Sequence, residues 1–69
     1  MTTAHELFAM VREHYTGAQG HFVLSRLQLR SGLVFQHLHP SDRDPDKANR
    51  LERAIREICP EVIASRSSK

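Results

Sequence analysis

Apolar residues recur every three or four positions near the start of the chain, which is the spacing of an amphipathic α-helix. Within residues 2–16 these positions are Ala4, Leu7, Phe8, Val11 and Tyr15. Thr3 and Glu6 form a capping-box pattern at the start of this segment. Gly17 is a natural stop, because glycine takes a left-handed backbone at no steric cost. Residues 17–21, with two glycines, are predicted to be a loop.

The same spacing recurs later and predicts a helix from residue 45 to about residue 59. Asp44 supplies an acidic N-cap, and Pro45 fits the first helical position. The predicted buried stripe is Ala48, Leu51, Ile55 and Ile58. The predicted (i, i+4) ion pairs on the outer surface are Asp46 with Arg50, Glu52 with Arg56, and Arg53 with Glu57. Pro60 ends this helix.

The segment between these helices is compatible with two structures. As a helix, residues 22–31 place three apolar side chains on one face, and Gly32 follows as a C-cap: these side chains are Val23, Leu24 and Leu27. As strands, residues 22–31 and 33–38 would form a hairpin that turns at Gly32. We favour the helix on propensity. Residues 33–39 then form a short apolar element that Pro40 ends.

The predicted fold class is therefore all-α, a small three- to four-helix bundle with a helix-turn-helix-like centre. The alternative is α+β, with a helix, a hairpin and a helix. A chain of 69 residues is short enough for one domain only. We place that domain at residues 1–63. Within it, residues 40–46 form a polar linker between the apolar element at residues 33–39 and the helix that follows. Residues 64–69 are predicted to be a flexible basic tail.

The centre of the chain resembles the helix-turn-helix of Cro and lambda-repressor type domains from Val23 to Ile58. The residues that match are Gly32 and Leu33 in the turn, Leu27 and Leu38 as the apolar pair that locks the two helices, and Asp44-Pro45 at the start of the next helix. Gln28, Ser31 and Pro40 depart from the family pattern. The resemblance implies a small DNA-binding transcriptional regulator that acts as a dimer on double-stranded DNA.

The resemblance also implies which side chains would face the duplex. Gln36 would read an adenine edge, and His37 and His39 would reach phosphate or base edges. Arg26 and Arg30 would hold the phosphate backbone. The charge pattern agrees, because no acidic residue occurs between Glu13 and Asp42 although the net charge of the chain is only +2.

A second hypothesis for function comes from the apolar residues near the centre. So small a domain cannot bury all of them, and a residual exposed patch is typical of a protein interface. The candidate interface residues are Leu29, Leu33, Val34 and Phe35. This hypothesis describes a small protein-binding regulator, either an inhibitor or an adaptor.

Catalytic and cofactor motifs are not found in the sequence, and we expect a non-enzyme without a cofactor. His37-x-His39 lacks a second close pair of ligands, so we expect no metal site. Cys59 is the only cysteine, which excludes an intrachain disulfide and fits a reducing compartment. With no apolar run long enough to span a membrane, we expect a cytoplasmic protein without a membrane partner.

Overall fold

The computed structural model describes residues 2–67, and within that range the chain forms four α-helices. They are α1 (Ala4–His14), α2 (Gly17–Ser31), α3 (Pro45–Ile58) and α4 (Glu61–Ser67), with one 3-10 turn at Phe35–His37 between α2 and α3. The described residues include no strand. The all-α prediction is therefore confirmed, and the hairpin alternative is wrong.

Helix α1 begins as its sequence predicts. Thr3 is the N-cap, and its Oγ1 accepts a hydrogen bond of 3.1 Å from the backbone N–H of Glu6. This bond satisfies one of the N–H groups that the first turn of a helix leaves without a backbone partner. The helix ends at His14, and the N–H of Tyr15 closes its last turn on the carbonyl of Val11.

Helix α2 starts five residues earlier than predicted, so the predicted loop at residues 17–21 is wrong. Gly17 has φ 73° and turns the chain directly into the helix. Gly20 lies inside the helix, where a Cβ would come within 2.8 Å of the carbonyl oxygen of Tyr15. Gly20 therefore permits the close approach of α2 to the end of α1, and it does not break the helix.

Helix α2 ends at the predicted glycine cap. Gly32 has φ 74°, and its N–H donates to the carbonyl of Gln28 at 3.0 Å. Leu33 follows the glycine and is buried. This arrangement is the left-handed C-cap with its apolar neighbour, as the sequence predicts.

The apolar element after Gly32 is shorter than expected, because its only regular structure is the 3-10 turn at Phe35–His37. Leu33 and Phe35 are both buried. Val34, between them, has an extended backbone, on which side chains two positions apart point the same way. The Phe35 ring stacks on Phe8 of α1, with 4.8 Å between ring centroids. A recognition helix of two turns is therefore not formed here.

Helix α3 packs against both α1 and α2 and supplies the centre of the core. The side chain of its N-cap, Asp44, accepts from the N–H of Asp46 at 3.0 Å, as predicted. The largest fully buried side chains of the core are Leu27, Leu51, Ile55, Val11 and Cys59. Two predicted ion pairs are confirmed: Asp46 with Arg50 and Glu52 with Arg56, each at 3.3 Å.

The third predicted pair, Arg53 with Glu57, is wrong. Glu57 instead pairs with Arg30 of α2, which reaches it with Nε at 2.7 Å and Nη2 at 3.2 Å. The planar guanidinium can meet both carboxylate oxygens at once, a geometry that a single-nitrogen contact does not provide. This cross-helix contact joins the end of α2 to the last turns of α3.

Helix α4 packs back onto the domain after the break at Cys59 and Pro60. Val62 is buried, and Ile63 packs against the core, as predicted. Residues 64–67 of the predicted flexible tail are helical, because α4 continues to Ser67. Residues 68 and 69 of that predicted tail lie outside the described residues.

Candidate functional site

The most exposed large apolar residues of the described chain lie on α2 and just after it. The exposed fraction is 86% for Leu29, 63% for Phe22 and 43% for Val34. Phe22, Arg26 and Leu29 are spaced four and three residues apart, so they share one face of α2. We call these three residues the α2 stripe. The Arg26 guanidinium lies over the Phe22 ring, 5.9 Å from its centroid.

A shallow groove borders the α2 stripe where α2 meets α3. It is lined by Arg26, Leu29 and Arg30 from α2 and by Glu57 and Ile58 from α3. Ile58 is partly buried and packs on the core. The groove thus joins apolar surface from two helices beneath exposed arginine side chains.

Charges around the groove are fixed by the contact between Arg30 and Glu57. The hydrogen bonds from Arg30, followed by its positive charge, lower the pKa of the Glu57 carboxyl. The same bonds, followed by the negative charge of Glu57, raise the pKa of Arg30. Arg26 has no carboxylate within ion-pairing distance among the described residues. Its charge is therefore available to another molecule.

The residues predicted to face DNA are all exposed, but they do not form one helical surface. Arg26 and Arg30 lie on α2, Gln36 and His37 in the 3-10 turn, and His39 after it. The Nδ1 of His39 lies 2.8 Å from the hydroxyl of Ser41 and accepts the N–H of Ser41 at 3.3 Å. Arg30 is held by Glu57, as described above.

The residues predicted for a protein interface are divided between surface and core. Leu29 and Val34 are exposed, whereas Leu33 and Phe35 are buried. Those two form part of the core, so they are unable to line an interface in this fold. Sequence reasoning left Phe22 out of this set. The (i, i+4) and (i, i+7) spacing of Phe22, Arg26 and Leu29 identifies the stripe once the segment is known to be helical.

A second group of side chains joins α4 to the end of α1. The hydroxyl of Tyr15 donates a hydrogen bond to Oε1 of Glu61. This bond, followed by burial, raises the pKa of Tyr15 to about 12, and the same bond lowers the pKa of Glu61. Burial, followed by the charge of Glu61, raises the pKa of the Cys59 thiol to about 11. A thiol with this pKa is largely protonated near neutral pH and is a poor nucleophile.

Residues 2–67 contain neither a cluster of metal ligands nor a membrane-spanning helix. No three His, Cys, Asp or Glu side chains between residues 2 and 67 are grouped so that they could hold a metal ion. None of the helices that the structure describes has the length and apolar character to cross a membrane.

Comparison with known proteins finds no match to this chain among protein-family models, curated proteins or solved structures. The resemblance to Cro and lambda-repressor type domains stays a prediction.

Proposed function

We propose that this chain is a small protein-binding regulator that docks the α2 stripe into an apolar groove on a partner protein. The observation that carries the proposal is the exposure of Leu29, at 86%, on the same face as Phe22. Apolar side chains placed together on a helix face cost solubility unless a partner covers them. An aromatic, an arginine and a leucine in one stripe are also well suited to anchor a helix in a groove.

The charges on α2 indicate the chemistry of the partner. Residues 14–41 contain no acidic side chain, and Arg26 has no ion pair among the described residues. A carboxylate on the partner, placed beside its apolar groove, would pair with Arg26 and fix the register of docking. We therefore propose an apolar groove with an acidic rim.

A different protein fits this surface better than a second copy of the chain. A two-fold dimer places the same patch on both sides of the interface. Two α2 stripes packed in this way would oppose arginine to arginine, with Glu57 already held by Arg30. The predicted homodimer stays a prediction, and sedimentation equilibrium of the full chain checks it.

Site-specific photo-crosslinking tests the proposal. We would place p-benzoylphenylalanine at position 22, which keeps an aromatic side chain there, and at Arg56 on the exposed face of α3 as a matched control. Irradiation of the cells that make the protein should give a discrete protein adduct from position 22 and none from position 56. Adducts of the same size from both positions, or none from position 22, would contradict the proposal.

DNA binding is the second candidate function. The observation that favours it is the exposure of Arg26, Gln36, His37 and His39 within a segment that has no acidic residue. A protein that contacts the phosphates of a duplex releases counterions from the DNA. Its affinity for DNA should therefore fall steeply as the salt concentration rises. Fluorescence anisotropy of labelled duplex DNA across 50–200 mM salt (roughly the range over which such complexes weaken) tests this function. If the protein does not bind the duplex even at low salt, DNA binding is excluded as its function.

A further inference from the structure

A second groove lies on the other side of Arg30, between the end of α2 and the outer face of α3. It has a volume of about 290 Å³ and is lined by Arg30, Ser31, Arg50, Arg53, Ala54 and Glu57. Three of these six residues are arginines, and one is an acid. Ser31 and Ala54 contribute the smallest side chains of the lining.

The arginines of this groove keep a net positive charge. Glu57 already accepts both hydrogen bonds from Arg30. Arg50 meets Asp46 through a single nitrogen at 3.3 Å, and that Asp46 side chain is 75% exposed. Arg53 has no carboxylate within ion-pairing distance in the described part of the chain, and its charge acts at longer range on Glu57, whose pKa it helps to lower. Arg50 and Arg53 are three residues apart on α3, so their side chains lie side by side.

Ser31 adds a hydroxyl group to the lining of the groove. This residue is only 6% exposed, and its Oγ accepts the N–H of Leu33 at 3.3 Å. Its hydroxyl proton is donated to no group that the structure describes between residues 2 and 67. A serine hydroxyl can donate as well as accept, and this one belongs to a residue that lines the groove.

We infer that this groove binds a phosphoryl oxyanion. Arginine guanidinium groups present paired N–H donors that match the oxygens of a phosphate, and a serine hydroxyl adds a further donor. The groove is distinct from the α2 stripe, and the inference stands independently of the proposed protein partner. We name the ligands as Arg50, Arg53 and the hydroxyl of Ser31, with Arg30 closing one side.

Titration with inorganic phosphate, followed by NMR of the backbone amides and the arginine side chains, tests this site. At constant ionic strength, phosphate should give saturable shifts at Ser31, Arg50 and Arg53. Arg53→Gln should weaken binding at least about tenfold, the effect of losing one charge-assisted contact. Arg56→Gln removes the same charge from the same helix outside the groove and should leave binding unchanged.

Three results would overturn the inference. One is the absence of saturable shifts, and another is the same shifts with chloride at matched ionic strength, which would mean screening only. The third is equal weakening by Arg53→Gln and Arg56→Gln, which would mean a diffuse charge effect. A parallel titration with O-phosphoserine identifies the source of the phosphoryl group. If O-phosphoserine binds more tightly than inorganic phosphate, the natural ligand is a phosphoryl group carried on a serine. If the two bind equally, the ligand is a free oxyanion. Both results support the site.

Discussion

Leu27 and Leu29 provide a matched pair of substitutions that separates folding from binding. Both are leucines of α2, two positions apart, yet Leu27 is 0% exposed and Leu29 is 86% exposed. Leu27 belongs to the core, whereas Leu29 belongs to the α2 stripe. Leu27→Ala and Leu29→Ala therefore delete the same atoms from opposite environments.

The expected loss of stability follows from burial. Truncating a fully buried leucine to alanine costs about 2–5 kcal/mol in transfer and cavity free energy. A domain of 69 residues has roughly 3–10 kcal/mol of total stability, at about 0.05–0.15 kcal/mol per residue. Leu27→Ala therefore removes a large share of it. Leu29→Ala should change stability by less than about 0.5 kcal/mol, the range of most exposed substitutions.

Urea unfolding followed by far-ultraviolet circular dichroism measures both changes, with the denaturant slope checked for constancy. A loss above about 1 kcal/mol for Leu29→Ala would refute the reasoning, because an exposed leucine kept for binding contributes little to folding. A loss below about 1 kcal/mol for Leu27→Ala would contradict its place in the core.

Three further predictions concern Gly20, Cys59 and Tyr15. Gly20→Ala should destabilise the fold although alanine favours helices, because its Cβ would meet the Tyr15 carbonyl at 2.8 Å; thermal unfolding checks this, and a raised melting temperature would contradict it. Cys59, with a pKa of about 11, should react with an aromatic disulfide at pH near 8 only after urea unfolds the chain; rapid reaction of the folded protein would contradict its burial. Tyr15→Phe should flatten the pH dependence of stability on both sides. The wild type loses the Tyr15 contribution as pH rises from 10.0 to about 12, and it loses the Glu61 contribution as pH falls below the ordinary carboxyl pKa of 4.5. Unfolding free energies of both proteins across pH measure this, and parallel curves would refute it.

Local sequence signals predict the helix ends of this chain well. The threonine cap of α1, the glycine cap of α2 and the Asp44-Pro45 start of α3 all have the expected geometry. These features depend on neighbouring residues only, so the sequence is sufficient to predict them. The first five residues of α2 and the whole of α4 are absent from the prediction because glycine, proline and short length argue against helices locally.

Tertiary contacts decide the features that local sequence patterns do not determine. Gly20 is accommodated within α2 because the helix passes close to the C-cap of α1, where a Cβ would meet the Tyr15 carbonyl oxygen at 2.8 Å. Leu33 and Phe35 were predicted to line an interface, but both are buried in the core, where the Phe35 ring stacks on Phe8. Glu57 was predicted to pair with Arg53 on the same helix, but it accepts a hydrogen bond from Arg30 of α2 instead. Each outcome depends on how the helices pack, which spacing along the chain does not reveal.

The binding affinity of the α2 stripe tests the central claim most directly. The partner segment that crosslinks to position 22 would be sequenced, prepared as a purified protein or peptide, and titrated calorimetrically into wild type, Leu29→Ala and Arg56→Gln. We expect an acidic rim in that segment and a loss of about 2 kcal/mol for Leu29→Ala, roughly thirtyfold in affinity, with no change for Arg56→Gln. Equal affinity of wild type and Leu29→Ala would contradict docking through the α2 stripe.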